Sequence, residues 1–219
     1  MAAHVKKILI TAGPTREMLD PVRFLSNLST GEMGYAIARA AARRKYRVTL
    51  VSGPTALKPP QGVRFIPIIT AQQLEKACSE LFPEQDCLIM AAAVCDFTPE
   101  VSRRQKIPSA AGYALRLKRT PDILASLAKR KGRRVVIGFC LETKNLISRA
   151  KEKLRRKALD GIVANFYDPK RQIPFGDRRT KVVMIGADLR PQELPKLAKE
   201  QVAERLLDWI ESFPSRGKS

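Results

Sequence analysis

The chain has 219 residues, 44% of them hydrophobic, which is length and apolar content enough for a sizeable core and argues against intrinsic disorder. No apolar run reaches the length of a membrane span, so no membrane partner is expected, and the opening MAAHVKKIL lacks the apolar core and cleavage site of a secretory signal, so a cytoplasmic location is expected. Four cysteines without a C-x-x-C pair and a single histidine exclude the usual structural zinc site, while a formal charge of +20 points to anionic ligands: nucleic acid, acidic lipid or phosphorylated small molecules.

KKILIT (6–11) is the first predicted strand. It runs into TAGPTREMLDPVRFLSNLSTGEMG (11–34), whose glycines at 13, 31 and 34 miss the G-x-G-x-x-G spacing of a dinucleotide fingerprint. That crossover instead carries Arg16, Glu17, Asp20, Arg23 and Asn27. GYAIARAAARRK (34–45) has helix-forming composition, and RVTLVS (47–52) is the second strand. AQQLEKACSELF (71–82) sets Leu74, Ala77, Cys78 and Leu81 on one helical face. CLIMAAA (87–93) is the third strand, and residues 94–119 then break the pattern as a long insert in which YALRLK alternates like a strand. TPDILASLAKRK (120–131) is a predicted helix with Thr120 as its cap and Pro121 at its first position. RVVIGF (134–139) and GIVANF (161–166) are the fourth and fifth strands, on either side of TKNLISRAKEKLRRK (143–157), an amphipathic helix with Leu146, Ile147, Ala150 and Leu154 inward. Residues 167–187 hold a Pro/Gly/Asp loop and then TKVVMIG, an extra strand, and a last amphipathic helix carries Val202, Leu206, Trp209, Ile210 and Phe213. Continuous apolar strands alternating with helices predict an α/β fold: a Rossmann-like, doubly wound, mainly parallel sheet with inserted strands, in a single domain over 1–219.

Ligands of such sheets lie beyond the carboxyl ends of the strands, near helix N-termini. The first strand leads there to Gly13, Thr15 and Arg16 and on to Asn27, Ser29 and Gly31, where STGEMG can present free N–H groups to a phosphate. The small residues of MAAA (90–93) admit a planar group or a phosphate close to the backbone, or simply a tightly packed helix. Asp96 fits a ribose or metal contact or a turn cap, and Lys106 by itself reads as a solvated loop lysine. The cysteines beside apolar runs read as small buried hydrophobes. These features give a phosphorylated ligand at the sheet edge and name no reaction.

Together with QKI (105–107), L-x-RTPDILA (117–125), IGF-x-x-ET (137–143), A-x-x-KL-x-x-K-x-x-D-x-IVAN (150–165) and FG (175–176), the segments 11–34 and MAAAVCDF (90–97) resemble the phosphopantothenate–cysteine ligases of coenzyme A biosynthesis. The resemblance implies joining of 4′-phosphopantothenate and L-cysteine through an acyl-nucleotidylate, with CTP favoured and ATP as the alternative, and with Mg²⁺ held mainly by the nucleotide phosphates. It implies that Met90, Ala91 and Ala92 line the nucleotide site with Asp96 near base or sugar, and that Lys106 stabilises charge at the α-phosphate. Pro121, Asp122, Ile123 and Leu124 bring a helix start toward the triphosphate, Phe139 packs on the nucleotide, and Lys153 and Lys157 reach phosphates from one helix face. Asn27 holds the acyl-nucleotidylate oxygen and Arg23 acts in the cysteine step. The resemblance also implies a homodimer through the inserted strands, and a stand-alone ligase, since the flavin-dependent decarboxylase domain often fused ahead of this one is not in the sequence. Departures from the family pattern fall at Cys95, at KIPS after Gln105, at Cys140 and Leu141, at Phe166 and at FGDRRTK. Two other classes fit part of the pattern. An NAD(P)-binding Rossmann oxidoreductase is opposed by the missing fingerprint. A nucleic-acid-binding protein is opposed by the low aromatic content and the spread of charge over several helices.

Overall fold

The computed structural model describes residues 6–109, 113–167 and 179–214. Its strands are β1 (Lys7–Ala12), β2 (Arg16–Met18), β3 (Phe24–Ser26), β4 (Arg47–Ser52), β5 (Arg64–Pro67), β6 (Cys87–Met90), β7 (Phe97–Pro99), β8 (Leu117–Arg119), β9 (Val135–Glu142), β10 (Gly161–Phe166), β11 (Arg179–Thr180), β12 (Val182–Gly186), β13 (Pro191–Glu193) and β14 (Leu197–Ala198). The helices are α1 (Glu32–Arg43), α2 (Ala71–Leu81), α3 (Ile123–Lys129), α4 (Leu146–Arg156) and α5 (Lys199–Glu211).

Eight strands form the main sheet in the order β13-β12-β10-β9-β6-β1-β4-β5. The six from β10 to β5 are parallel, and β12 and β13 add an antiparallel edge beside β10. The apolar runs are continuous because helices cover both faces. On one face α1 and α5 close over Ile8, Ile10, Ile89 and Ile137; on the other, residues of α2, α3 and α4 close over Leu9, Leu88, Val136 and Ile162. The chain leaves β1 toward β4 on one side and returns to place β6 on the other, so the order reverses between β1 and β6.

Several boundaries differ from the sequence expectation. The third predicted strand ends at Met90, and Ala91–Ala93 leave the ladder, where Ala92 N–H donates to Thr11 Oγ1 at 3.1 Å and Ala93 N–H to Gly13 O at 2.9 Å. Thr120 is not the cap of α3. Its hydroxyl donates to Cys95 O at 2.5 Å, and the Asp122 carboxylate caps instead by accepting from Ala125 N at 3.1 Å. YALRLK contributes only its end to β8. The crossover after β1 holds an antiparallel ribbon, β2–β3, and the insert after β6 holds another, β7–β8. The predicted loop in 167–187, with FG (175–176), lies largely outside the described residues.

Candidate functional site

At the β1/β6 reversal the carboxyl ends of β6, β9 and β10, the start of α1, the lead into α3 and the C-terminal half of α4 enclose a cleft of about 1020 Å³. The place is the crevice that an open α/β sheet leaves at its switch point. Met90, Ala91 and Ala92 form its floor and Phe139 lies on the neighbouring strand; small side chains there keep the strand ends open to a ligand.

One wall is the crossover. Asn27 donates from Nδ2 to Ala93 O at 3.0 Å, which ties it to the β6 exit and leaves its Oδ1 without a hydrogen bond among the described residues. Ser29 Oγ accepts from Gly31 N at 3.3 Å, and Gly31 takes φ +80°, a left-handed turn that favours glycine. No side chain caps α1, so its first N–H groups open on the cleft.

The opposite wall is cationic. Lys153 of α4 and Lys157, which caps the helix's C-terminal end four residues on, both line the cleft, as does Arg156. Lys153 is largely buried, its Nζ donating to Phe139 O at 2.8 Å, and burial lowers the pKa of the amine. Lys157 Nζ lies 2.7 Å from Asp122 Oδ1. Burial raises the Asp122 carboxyl, but Lys157 and the Ala125 N–H outweigh it and hold the group below its ordinary value. The Pro121–Leu124 segment is therefore fixed to α4 by an ion pair that also caps α3.

Two cleft residues, Lys199 and Tyr167, stand in no motif of the sequence, whereas Glu32, Arg119 and Asn165 fall within the motifs quoted above. Lys199, buried at the start of α5, is hydrogen-bonded to Glu32 of α1, and both line the cleft with Arg119, Asn165 and Tyr167. Conversely, five expected residues, Gly13, Thr15, Arg16, Arg23 and Lys106, do not line it, and Arg16 lies instead over the Phe24 ring at 4.5 Å. Gly13 and Thr15 are fasteners: Thr15 N–H donates to Ala93 O at 3.1 Å and its hydroxyl accepts from Cys95 N at 3.0 Å. Arg23 forms an ion pair with Asp20 at 2.6 Å, and Lys106 is exposed on the loop beside it. Asp96 is exposed at the cleft, with its backbone carbonyl engaged by Thr120 N at 3.0 Å.

All four cysteines are free and buried. Burial pushes the Cys140 thiol, at the cleft, up to about 11, and raises Cys95, so neither is a ready thiolate at neutral pH. Among the described residues no helix is long and apolar enough to cross a membrane.

A family model described as the DNA/pantothenate metabolism flavoprotein C-terminal domain matches residues 3–213. The chain is 42% identical over 208 residues to the coenzyme A biosynthesis bifunctional protein CoaBC of Bacillus subtilis (strain 168), covering 94% of this chain and 51% of that protein. Against the CoaBC of Escherichia coli (strain K12) the identity is also 42% over 208 residues, covering 93% and 51%. The chain thus spans about half the length of these curated relatives. Among solved structures, the C-terminal domain of CoaBC superposes with a TM-score of 0.80 at 40% identity, covering 94% of each chain. A Cab2 mutant in complex with phosphopantothenate-cysteine shares the fold, with a TM-score of 0.77 at 17% identity over 94% of this chain and 85% of that one.

Proposed function

The chain belongs to the DNA/pantothenate metabolism flavoprotein C-terminal domain family, and from that premise we propose that it joins 4′-phosphopantothenate to L-cysteine at the expense of a nucleoside triphosphate, CTP in preference to ATP. The observation that carries this reading is the cleft itself, where Asn27, the Met90–Ala92 floor, Asp122 and the α4 lysines line one cavity at the switch point.

The chemistry has two steps. A carboxylate is a poor acyl donor, so the pantothenate carboxylate attacks the α-phosphorus of the nucleotide, pyrophosphate leaves, and an acyl-nucleotidylate results. The cysteine amine then attacks the acyl carbon and the nucleoside monophosphate departs with the bonding pair. In this reading Lys153, Arg156 and Lys157, which line the cleft, take phosphate charge, and the uncapped α1 start offers N–H donors to an oxyanion. Asn27 is held through Nδ2, which donates to Ala93 O and, at 3.9 Å, to Cys95 Sγ, and its Oδ1 is turned to accept from an amine or N–H group.

The donor set also fits Mg²⁺ carried in on the nucleotide. Among the described residues no three His, Cys, Asp or Glu side chains cluster as a protein-built metal centre requires, whereas Asp96 places one exposed carboxylate at the cleft. Magnesium prefers phosphate oxygens with one or two carboxylates. Bound there it would neutralise phosphate charge, and Asp96 would be the residue to hold it.

We propose a homodimer that uses the ribbon of the 94–119 insert together with the neighbouring crossover ribbon. Val22 and Phe24 of the crossover ribbon, and Phe97 and Leu117 of the insert ribbon, are 60%, 40%, 49% and 42% exposed, and β2 packs beside β7, so the apolar residues stand on adjoining ribbons. An apolar surface of this kind suits a second copy.

Pyrophosphate release with 4′-phosphopantothenate, Mg²⁺ and CTP or ATP, with and without cysteine, tests the reading on wild type and Asn27→Ala. Product formed only with cysteine, and lost in Asn27→Ala, supports it. Folded protein that turns over neither nucleotide refutes it.

A further inference from the structure

Asp20 is a fully buried carboxylate outside the cleft, and both of its oxygens are in use. Oδ1 accepts from Val22 N and Arg23 N, each at 2.9 Å, which closes the turn between β2 and β3. Oδ2 accepts from Arg23 Nε at 2.8 Å, Arg23 Nη2 at 2.6 Å and Ile107 N at 3.1 Å. Arg23 Nη2 also donates to Ile107 O at 2.6 Å, and Arg103 N donates to Leu19 O at 2.8 Å. Residues 100–109 have no helix or strand of their own, so these bonds set the path of that loop. Lys106, the neighbour of Ile107, is exposed and has no partner among the described residues. Its position therefore depends on how Ile107 is anchored.

We propose that Asp20 is a positioning residue that locks Arg23 and the Lys106 loop into one unit. What Arg23 and Lys106 do rests on the ligase reading above; the coupling between them does not. A turn cap needs only Oδ1, as in an ordinary Asx turn. The bonds made by Oδ2 go beyond that. They join a guanidinium on one segment to a backbone amide 84 residues further along the chain. If the two side chains serve the activation step and the cysteine step, one buried carboxylate sets the distance between them.

Asp20→Asn separates the two roles, because an amide in the same place keeps an acceptor for the turn and loses the second one. In the full chain without ligands, the Ile107 amide is expected to lose its protection from hydrogen exchange. In assays of the separate steps, acyl-nucleotidylate formation and cysteine transfer are both expected to slow by roughly 10- to 100-fold, the scale of a small misplacement of catalytic groups. The nucleotide KM is expected to stay unchanged, since no cleft contact is lost. In a Lys106→Ala background, Asp20→Asn should add nothing to the loss in the first step. An Ile107 amide that stays protected overturns the coupling. Wild-type rates in both steps, or a loss confined to nucleotide KM, overturn the positioning role. A wild-type protein without turnover refutes the ligase reading alone, and the exchange measurement still decides the coupling.

Discussion

Lys153 is costly for the fold and, on the proposed function, useful for the ligand. Its amine is largely desolvated and, among the described residues, is hydrogen-bonded to Phe139 O alone, so in the free protein the charge is under-solvated. The sign follows from linkage: with a folded pKa below the ordinary 10.5, this group costs stability at neutral pH, and the cost fades as pH rises through the folded value toward 10.5. On the proposed function, a phosphate in the cleft repays that cost. Lys153→Met is therefore expected to leave the free protein as stable or to raise its melting temperature by about 1–2 °C, while weakening nucleotide binding by roughly tenfold or more, the worth of one charge-assisted hydrogen bond. Thermal denaturation and nucleotide titration of the same variant check both halves. Asp122 has the opposite sign. Its carboxyl lies below 3.8, so its bonds contribute above that pH and are lost as pH falls through the folded value. The Asp122 side chain is half exposed, and Asp122→Asn is expected to cost less than about 1 kcal/mol at neutral pH and to flatten the acid limb of the stability curve. At this scale the long motifs carried most of the site: Asn27, Met90–Ala92, Asp122, Phe139, Lys153 and Lys157 all meet in the cleft. Lys199 was illegible because it reaches Glu32 from 167 residues away, and one more helical lysine in a chain of charge +20 gives no local signal.

At the scale of elements, the approach of α1 to β1 fixes the cleft wall. A Cβ at Gly34 would lie 2.5 Å from Ala12 Cβ and 3.0 Å from Thr11 O, so the helix seats directly on the strand. Alanine normally favours a helix over glycine, yet Gly34→Ala is expected to destabilise by about 1–3 kcal/mol, the usual cost of overpacking, because backbone must move. Chemical denaturation with an unchanged slope checks it; a stabilised variant would show that α1 can slide. The outer side of α1 is held by charge. Arg44 meets Glu204, Asp208 and Glu211, and Arg43 meets Glu204, which fastens α5 to α1 and keeps Lys199 at the cleft. The central strands were legible because β1, β4, β6, β9 and β10 are continuous apolar runs buried on both faces. The ribbons were not. Three-residue strands such as Arg16–Met18 and Phe97–Pro99 are too short to show a period, and their pairing is decided by tertiary contacts such as Thr15 with Ala93.

For the molecule as a whole, the proposed reading has the charge of +20 and the cleft act on the same ligands. Five basic side chains line the cleft, Arg119, Lys153, Arg156, Lys157 and Lys199, against three acidic ones, Glu32, Asp96 and Asp122. Two of the acids are already paired, Glu32 with Lys199 and Asp122 with Lys157. A positive cleft on a positive body concentrates phosphorylated ligands at its mouth, and salt removes that advantage as the screening length falls from about 10 Å at 0.1 M to about 3 Å at 1 M. The two phosphorylated substrates proposed here carry net negative charge, whereas cysteine is close to neutral overall at pH 7. Raising the salt across that range is therefore expected to lower kcat/KM for the nucleotide and for 4′-phosphopantothenate by several-fold, to leave kcat nearly constant, and to leave the KM for cysteine unmoved. Initial rates with each substrate varied in turn separate attraction from chemistry. An equal loss for cysteine would assign the salt effect to the fold or to the dimer, and no loss for either phosphorylated substrate would make the excess charge a solvated surface without a part in capture.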